Sequence, residues 1–142
     1  MQSSTTPAAL APALDPIPDL DGINAPLWDG LKQGRLHYQA CACGHAWLPP
    51  RALCPQCLGT DWAWREASGH GEIVSWVVYH VAYHPSFKDK LPYNVAIVEL
   101  KEGPRLITNI LAPNETLSIG APVQLAVDTT LATPLAQFRL KP

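Results

Sequence analysis

The sequence predicts a mainly β protein, in which a short N-terminal helix precedes a cysteine-bearing zinc ribbon and a five-stranded barrel of the OB type. Two observations predict this fold class. All four cysteines of the 142-residue chain fall between positions 41 and 57, which is typical of a metal-held ribbon. Beyond residue 70, segments rich in β-branched and aromatic residues alternate with turn signals, and no helical period lies between them.

Three segments divide the chain. Residues 1–24 form a Pro/Ala-rich stretch with little to bury, so we expect a flexible arm there. Residues 25–67 hold the helix and the zinc ribbon, and residues 68–142 hold the OB-fold domain. The barrel strands are expected at 73–83, 95–100, 105–111, 123–127 and 137–140.

The helix is marked by residues at both of its ends. Asn24 is of a type that caps helices, Pro26 is tolerated in a first turn, and Gly34 is a stop signal. Leu27 and Leu31 share one helix face, because residues four apart are neighbours on a helix surface. We expect this apolar face to dock on a neighbouring surface.

The cysteines predict a structural zinc site. The second pair has the Cys-Pro-x-Cys spacing of a thiolate knuckle, whereas the first pair, Cys-x-Cys, is one residue shorter than usual. His45 or His37 could therefore complete the site. The predicted metal ligands are Cys41, Cys43, Cys54 and Cys57.

Two other uses of the cysteines are less well supported. A redox pair needs its first cysteine at a helix N-terminus, but the residues after Cys57 predict a turn. An iron centre is chemically possible, although nothing in the surrounding sequence indicates electron transfer.

Composition narrows the class of partner. A formal net charge of −2 and the absence of a basic stripe disfavour nucleic acid. Hydrophobic residues make up 47% and charged residues only 15%, which favours exposed apolar surface and a permanent protein partner. No apolar run resembles a secretory signal or a membrane span, so we expect a cytoplasmic protein with no membrane association.

No catalytic residue is predicted. His80 lies at the end of the first predicted barrel strand and His84 in the loop after it, but no Ser-His-Asp or Cys-His arrangement can be assembled around them. The loop over 84–93 combines aromatic residues, prolines and lysines, and it could meet a phosphate-bearing ligand or a partner, or be an ordinary surface loop. We expect no activity from the chain alone.

An ordered set of motifs resembles a known family. It comprises the LWDGL segment at 27–31, the two cysteine pairs with PPR at 49–51, SGHG at 68–71, HPSF at 84–87, and PYNVAIVEL at 92–100. GPRLITN at 103–109 and GAPV at 120–123 complete it. Together these segments resemble the rubredoxin-like zinc-ribbon/OB-fold proteins associated with thiolase-type acyl-CoA enzymes.

The resemblance implies a non-catalytic accessory subunit in a hetero-oligomer with thiolase-fold catalytic subunits, which can be thiolases, acyltransferases or retro-aldolases. It also implies that the OB domain lines the passage for an acyl-CoA shared with the partner. On this chain that role falls on His84, Pro85, Phe87, Lys88 and Tyr93.

One departure from the family pattern concerns the metal. The family's first pair is usually Cys-x-x-Cys, and Ala40 stands where its outer cysteine would align, so occupancy of the zinc site depends on an irregular pair. Two rival functions remain: a single-stranded nucleic-acid-binding module, since zinc ribbons and OB folds both serve that purpose, and a stand-alone enzyme using His80 or His84.

Overall fold

The computed structural model of the chain describes residues 17–142, and the expectation for the arm over 1–24 falls mostly outside them. One α-helix, α1, spans Ala25–Lys32. Short 3-10 turns span Gly22–Asn24, Pro85–Lys90 and Asn114–Thr116. The strands are β1 (His37–Cys41), β2 (Ala46–Trp47), β3 (Trp62–Glu66), β4 (His70–Tyr79), β5 (Tyr93–Leu100), β6 (Arg105–Thr108), β7 (Pro122–Ala126) and β8 (Gln137–Leu140).

Helix α1 ends where the sequence predicts but begins differently. The Gly34 N–H donates to the Leu31 carbonyl (3.0 Å) and the Arg35 N–H to the Gly30 carbonyl (2.9 Å), a Schellman ending that needs the positive φ of Gly34. Asn24 makes no capping hydrogen bond through its side chain. Its backbone is already helical, because the preceding 3-10 turn runs directly into α1.

The apolar face of α1 packs inside this chain. Leu31 is 1% exposed and belongs to the main core cluster, and Leu27 and Trp28 pack half-buried against the same cluster. The neighbour on which this face docks is therefore the protein's own core.

Two antiparallel sheets follow the helix. The first has the order β2-β1-β3, and its strand β3 confirms the alternation of Trp62 and Trp64 around Ala63. The second has the order β6-β5-β4-β7-β8. A parallel bridge between Ile110 and Phe138 joins its two ends, so the sheet closes into the five-stranded OB barrel. The predicted fold class is confirmed.

Strand β4 differs from the prediction at both ends. It begins at His70, pairing with β5 and β7, and it carries a bulge between Ile73 and Ser75. It stops at Tyr79, where its last partner is Tyr93, the first residue of β5. Residues 80–83 have no strand to pair with, because the chain turns away into the 3-10 turn. The predicted strand at 105–111 likewise ends at Thr108, leaving only the bridge at Ile110.

The ribbon and the barrel share one core. Leu36 and Tyr38, from the ribbon segment, are buried in the same cluster as Ile73, Val98 and Phe138 of the barrel. A second, smaller cluster consists of Cys41, Trp47 and Cys54 with Trp62 packed against it. Among the described residues, no helix is long and apolar enough to cross a membrane.

A buried asparagine supports the barrel closure. Asn94, 5% exposed, donates through Nδ2 to the Ile110 carbonyl (2.9 Å) and accepts the Ile110 N–H through Oδ1 (2.7 Å). Asn109 donates to the Asn94 carbonyl (2.6 Å). These bonds hold the chain after β6 in position for its bridge to Phe138.

We predict that Asn94→Leu lowers the free energy of unfolding by about 3 kcal/mol, because it leaves both backbone groups of Ile110 buried without partners. Asn114→Ala is the control. It removes one bond to Asn94 (3.0 Å) and should lower stability by less than about 1 kcal/mol. Urea denaturation followed by tryptophan fluorescence measures both, and equal stabilities for the two variants would contradict the prediction.

Candidate functional site

The four cysteine sulfurs form one cluster. All lie within 4.8 Å of one another, with Cys41 Sγ 3.6 Å from Cys57 Sγ and Cys43 Sγ 3.7 Å from Cys54 Sγ. Tetrahedral zinc, with Zn–S bonds of about 2.3 Å, would hold its sulfurs about 3.8 Å apart. The spacing and the soft donors therefore fit zinc, and the short Cys-x-Cys pair does not prevent the fit.

Two tight turns bring the cysteines together. In the β1–β2 turn, the Cys41 N–H donates to the His45 carbonyl (2.8 Å), and Gly44 has a φ of +98°, which a glycine adopts without strain. In the second turn, the Leu58 N–H donates to the Cys54 carbonyl (2.8 Å), and the Gly59 N–H points at Cys57 Sγ (3.4 Å). The second turn is thus the knuckle that the Cys-Pro-x-Cys spacing predicts.

One side of the cysteine cluster is buried and the other is exposed to solvent. Cys41 and Cys54 are buried against Trp47 and Trp62, whereas Cys43 and Cys57 are exposed. Four thiolates would fill the tetrahedral coordination of zinc and leave no open position for a substrate, as in structural zinc sites.

The electrostatics of the thiols favour a bound cation. Burial opposes ionisation of Cys54, yet the N–H groups of Cys57 and Gln56 and two neighbouring thiols bring its pKa down to about 7. For Cys41, a backbone hydrogen bond involving Cys43 lowers the pKa, but burial and three neighbouring thiols together raise it to about 12. A metal binds the deprotonated thiolates, so metal binding releases protons and weakens as the pH falls.

The histidine alternative is not supported. In the described part of the chain, the group able to hold a metal consists of the four cysteines without a histidine. The His45 ring instead stacks on Trp47, with centroids 5.8 Å apart and planes 15° from parallel. His37 lies against Gly30 of α1, in the space that a side chain at position 30 would need.

The sequence reading missed Gln39, which anchors the loop between the cysteine pairs. Gln39 is fully buried, its Nε2 donates to the Arg51 carbonyl (2.8 Å), and its Oε1 accepts the Arg51 N–H (2.8 Å). Trp62 Nε1 holds the same loop through the Ala52 carbonyl (2.8 Å). The sequence signal that could have indicated this role is a long polar side chain between Tyr38 and Ala40 in a strand of the ribbon.

The loop over 84–93 is organised by ring stacking. Tyr93 stacks on Tyr79 at 5.2 Å and on Phe87 at 5.4 Å, and Tyr83 meets Tyr79 edge-on at 6.0 Å. We call these four residues the aromatic cluster. Lys90 Nζ lies 4.9 Å from the Phe87 ring centre. Tyr79 and Tyr83 were not among the predicted site residues. Both were assigned to a strand over 73–83, and that assignment gave no reason to expect them near the loop.

Of the five residues predicted to line an acyl-CoA passage, the structure brings three together. His84 meets Phe87 edge-on at 6.2 Å, and Phe87 stacks on Tyr93. His84 Nδ1 also bonds Ser86 Oγ (2.7 Å) and accepts the Ser86 N–H (3.1 Å), so His84 caps the 3-10 turn. Pro85 and Lys88 lie exposed in that turn.

Comparison with known proteins identifies the family. The model of the ChsH2 rubredoxin-like zinc ribbon domain matches residues 28–63, and that of the ChsH2 C-terminal OB-fold domain matches residues 64–128. The chain belongs to the ChsH2 family. One chain of the solved Ltp2-ChsH2(DUF35) aldolase is 38% identical, with a TM-score of 0.76, and the match covers 87% of this chain and 98% of that one.

Other ChsH2-like relatives are longer or more distant. A probable enoyl-CoA hydratase alpha subunit of Thermomonospora curvata is 44% identical over 116 residues, which are 80% of this chain but 35% of that protein. A DUF35 domain-containing scaffold protein of Methanocaldococcus jannaschii is 36% identical over 84 residues, 58% of this chain and 59% of its own. This chain thus spans less than two thirds of the length of either curated relative. A DUF35-family protein of Sulfolobus solfataricus, 16% identical with a TM-score of 0.63, shares the fold.

We predict that the purified protein binds one zinc ion through the four cysteines and that His45→Ala retains it. Cys54→Ser should lose the metal, because it removes the most deeply buried sulfur of the cage. Elemental analysis and release of zinc to a chromogenic chelator measure both variants. Loss of zinc in His45→Ala with retention in Cys54→Ser would contradict the four-sulfur assignment.

We further predict that Gln39→Leu binds zinc roughly tenfold more weakly, because the loop that presents Cys54 loses its anchor on β1. Competition with a chelator of known affinity measures the change. Gln124→Leu, at an exposed position of β7 in the other sheet, is the matched control and should bind zinc like the unaltered protein. Equal affinities for the two variants would show that the anchor does not position the site.

Proposed function

We propose that this protein is a non-catalytic accessory subunit of a thiolase-fold enzyme acting on acyl-CoA, such as a thiolase, an acyltransferase or a retro-aldolase. The observation that carries the proposal is the structural match over nearly the whole of a chain of the Ltp2-ChsH2(DUF35) aldolase, at 38% identity. The description of the Methanocaldococcus jannaschii relative as a scaffold protein supports the same role.

The chemistry of the described residues supports a structural role. The cysteines together form a cage whose four positions a zinc ion would fill, and His84 is engaged in capping its own turn. On this proposal the partner supplies the nucleophile and the acid–base groups. This chain orders the partner's entrance and helps to exclude water from it.

The loop over 84–93 is the part that we propose meets the acyl-CoA. The stacked Phe87 and Tyr93 rings give an apolar wall for an uncharged arm. Lys88 is exposed in the same 3-10 turn, and Lys90 Nζ lies 4.9 Å from the Phe87 ring centre, so the loop also offers positive charge. Four cysteines that form no disulfide and cluster as metal ligands suit a reducing compartment, so we propose that the complex is cytoplasmic.

Co-purification of the tagged chain from its native host tests the proposal. We expect a thiolase-fold protein in stoichiometric amount, identified by mass spectrometry. Adding the tagged chain should raise that protein's turnover of an acyl-CoA, whereas the chain alone should show none.

Three results would contradict the accessory role. The first is recovery of the chain without a partner. The second is turnover by the isolated chain that His84→Ala abolishes. The third is tight, salt-sensitive binding to a single-stranded oligonucleotide, which would favour the nucleic-acid module instead.

A further inference from the structure

One face of the barrel exposes apolar side chains across three adjacent strands. We call it the outer barrel face; it comprises exposed Val77 and Ile107, half-buried Val95 and Ile97, and the polar Ser75. We propose that the thiolase-fold partner protein docks on this face through an apolar surface of its own. The inference rests on the proposed function, and it specifies which part of the chain binds the partner.

Strand register establishes that these residues share one face. In β5 the burial alternates strictly, so Asn94, Ala96 and Val98 point inward while Val95 and Ile97 point outward. Val95 is opposite Val77 of β4, and Ile97 is opposite both Ser75 of β4 and Ile107 of β6. Val77 of β4 and Ile107 of β6, on the two strands that flank β5, are 56% and 74% exposed, and Val95 and Ile97 between them are half-buried.

Apolar surface continues beyond both ends of this face. At the end of β4, the Tyr79 and Tyr93 pair leads to the aromatic cluster, where Tyr83 is 81% exposed. Beside β6, a groove of about 570 Å³ is lined by Ile97 and Ile107 together with Leu27 and Trp28 of α1. The helix, the strands and the loop thus present one connected apolar surface.

The charges on this surface favour a protein over a polyanion. Arg105 Nε contacts Glu99 Oε1 at 2.9 Å, so the cation next to Ile107 is already paired. Exposed Glu72 lies opposite Glu99 and adds a negative charge at the same end. In OB folds this strand face and the adjoining loop hold the ligand. Here the two lysines of the loop, Lys88 and Lys90, do not continue as a basic groove along the strand face, where Arg105 is paired with Glu99.

The dimensions suit one side of a stable interface. Three strands and the length of β5 give a face about 14 Å wide and about 27 Å long. The area of such a face is roughly half of the ~800 Å² that each partner buries in a standard interface. The groove and the aromatic cluster supply adjoining area. Large exposed apolar patches of this kind mark interaction sites on soluble domains.

The test uses the thiolase-fold protein identified by co-purification, with purified full-length chain and its variants. Ile107→Glu places a charge on the β6 side of the outer barrel face, opposite Ile97 and beside the groove, and we expect affinity for the partner to fall by ~30-fold or more. Ile119→Glu is the matched control: Ile119 is 76% exposed but follows the 3-10 turn Asn114–Thr116, next to β7. It should bind within about twofold of the unaltered chain. Tryptophan fluorescence and zinc content confirm that both variants are folded.

The outcomes separate this inference from the proposed function. If the unaltered chain has no thiolase-fold partner, the proposed function fails. If the partner binds the unaltered chain, Ile107→Glu and Ile119→Glu equally well, the accessory role stands and the outer barrel face is not the docking surface. A dimer of the free chain that Ile107→Glu dissociates would also overturn the inference, because a second copy would then be the occupant.

Discussion

The shared core between ribbon and barrel is the constraint on which the rest of this structure depends. Leu31, Leu36 and Tyr38 are buried in the same cluster as Ile73 and Phe138, although they lie far apart in the sequence. Because this cluster is common to α1, the first sheet and the barrel, it holds the helix and the ribbon against the barrel. The ribbon is therefore a rigid extension of the barrel, and the surfaces proposed to bind a partner keep one fixed arrangement.

Local signals explain what the sequence alone could predict. The cysteine spacing, the helix stop at Gly34 and the turns between the later strands depend on neighbouring residues, and the structure agrees with them. The features that were missed depend on distant partners. Strand β4 ends where β5 begins, and Gln39 is important because of Arg51, twelve residues away. No periodicity in the sequence reports such pairings.

The same distinction applies to the candidate site. Composition indicated exposed apolar surface, but it could not locate that surface. Only the register of β4, β5 and β6 shows that Val77, Val95, Ile97 and Ile107 lie on one side. The loop over 84–93 was recognised from its residue types, while its stacking on Tyr79 depends on the β4–β5 register that sets Tyr93 opposite Tyr79. A surface of this kind can bind a partner without any reactive group, as an accessory subunit would. This agrees with the role of His84, whose ring nitrogen caps its own turn.

The small cluster of Cys41, Trp47 and Cys54 is separate from the main core, and this separation has a consequence for how the protein would respond to metal scarcity. Removing zinc would loosen the turns that carry the sulfurs, but the hydrophobic contacts that close the barrel would remain. Metal loss and barrel unfolding would then be two separate transitions in one short chain. A partner that contacts the ribbon turns would sense the metal supply, whereas a partner that contacts only the barrel strands would be indifferent to it.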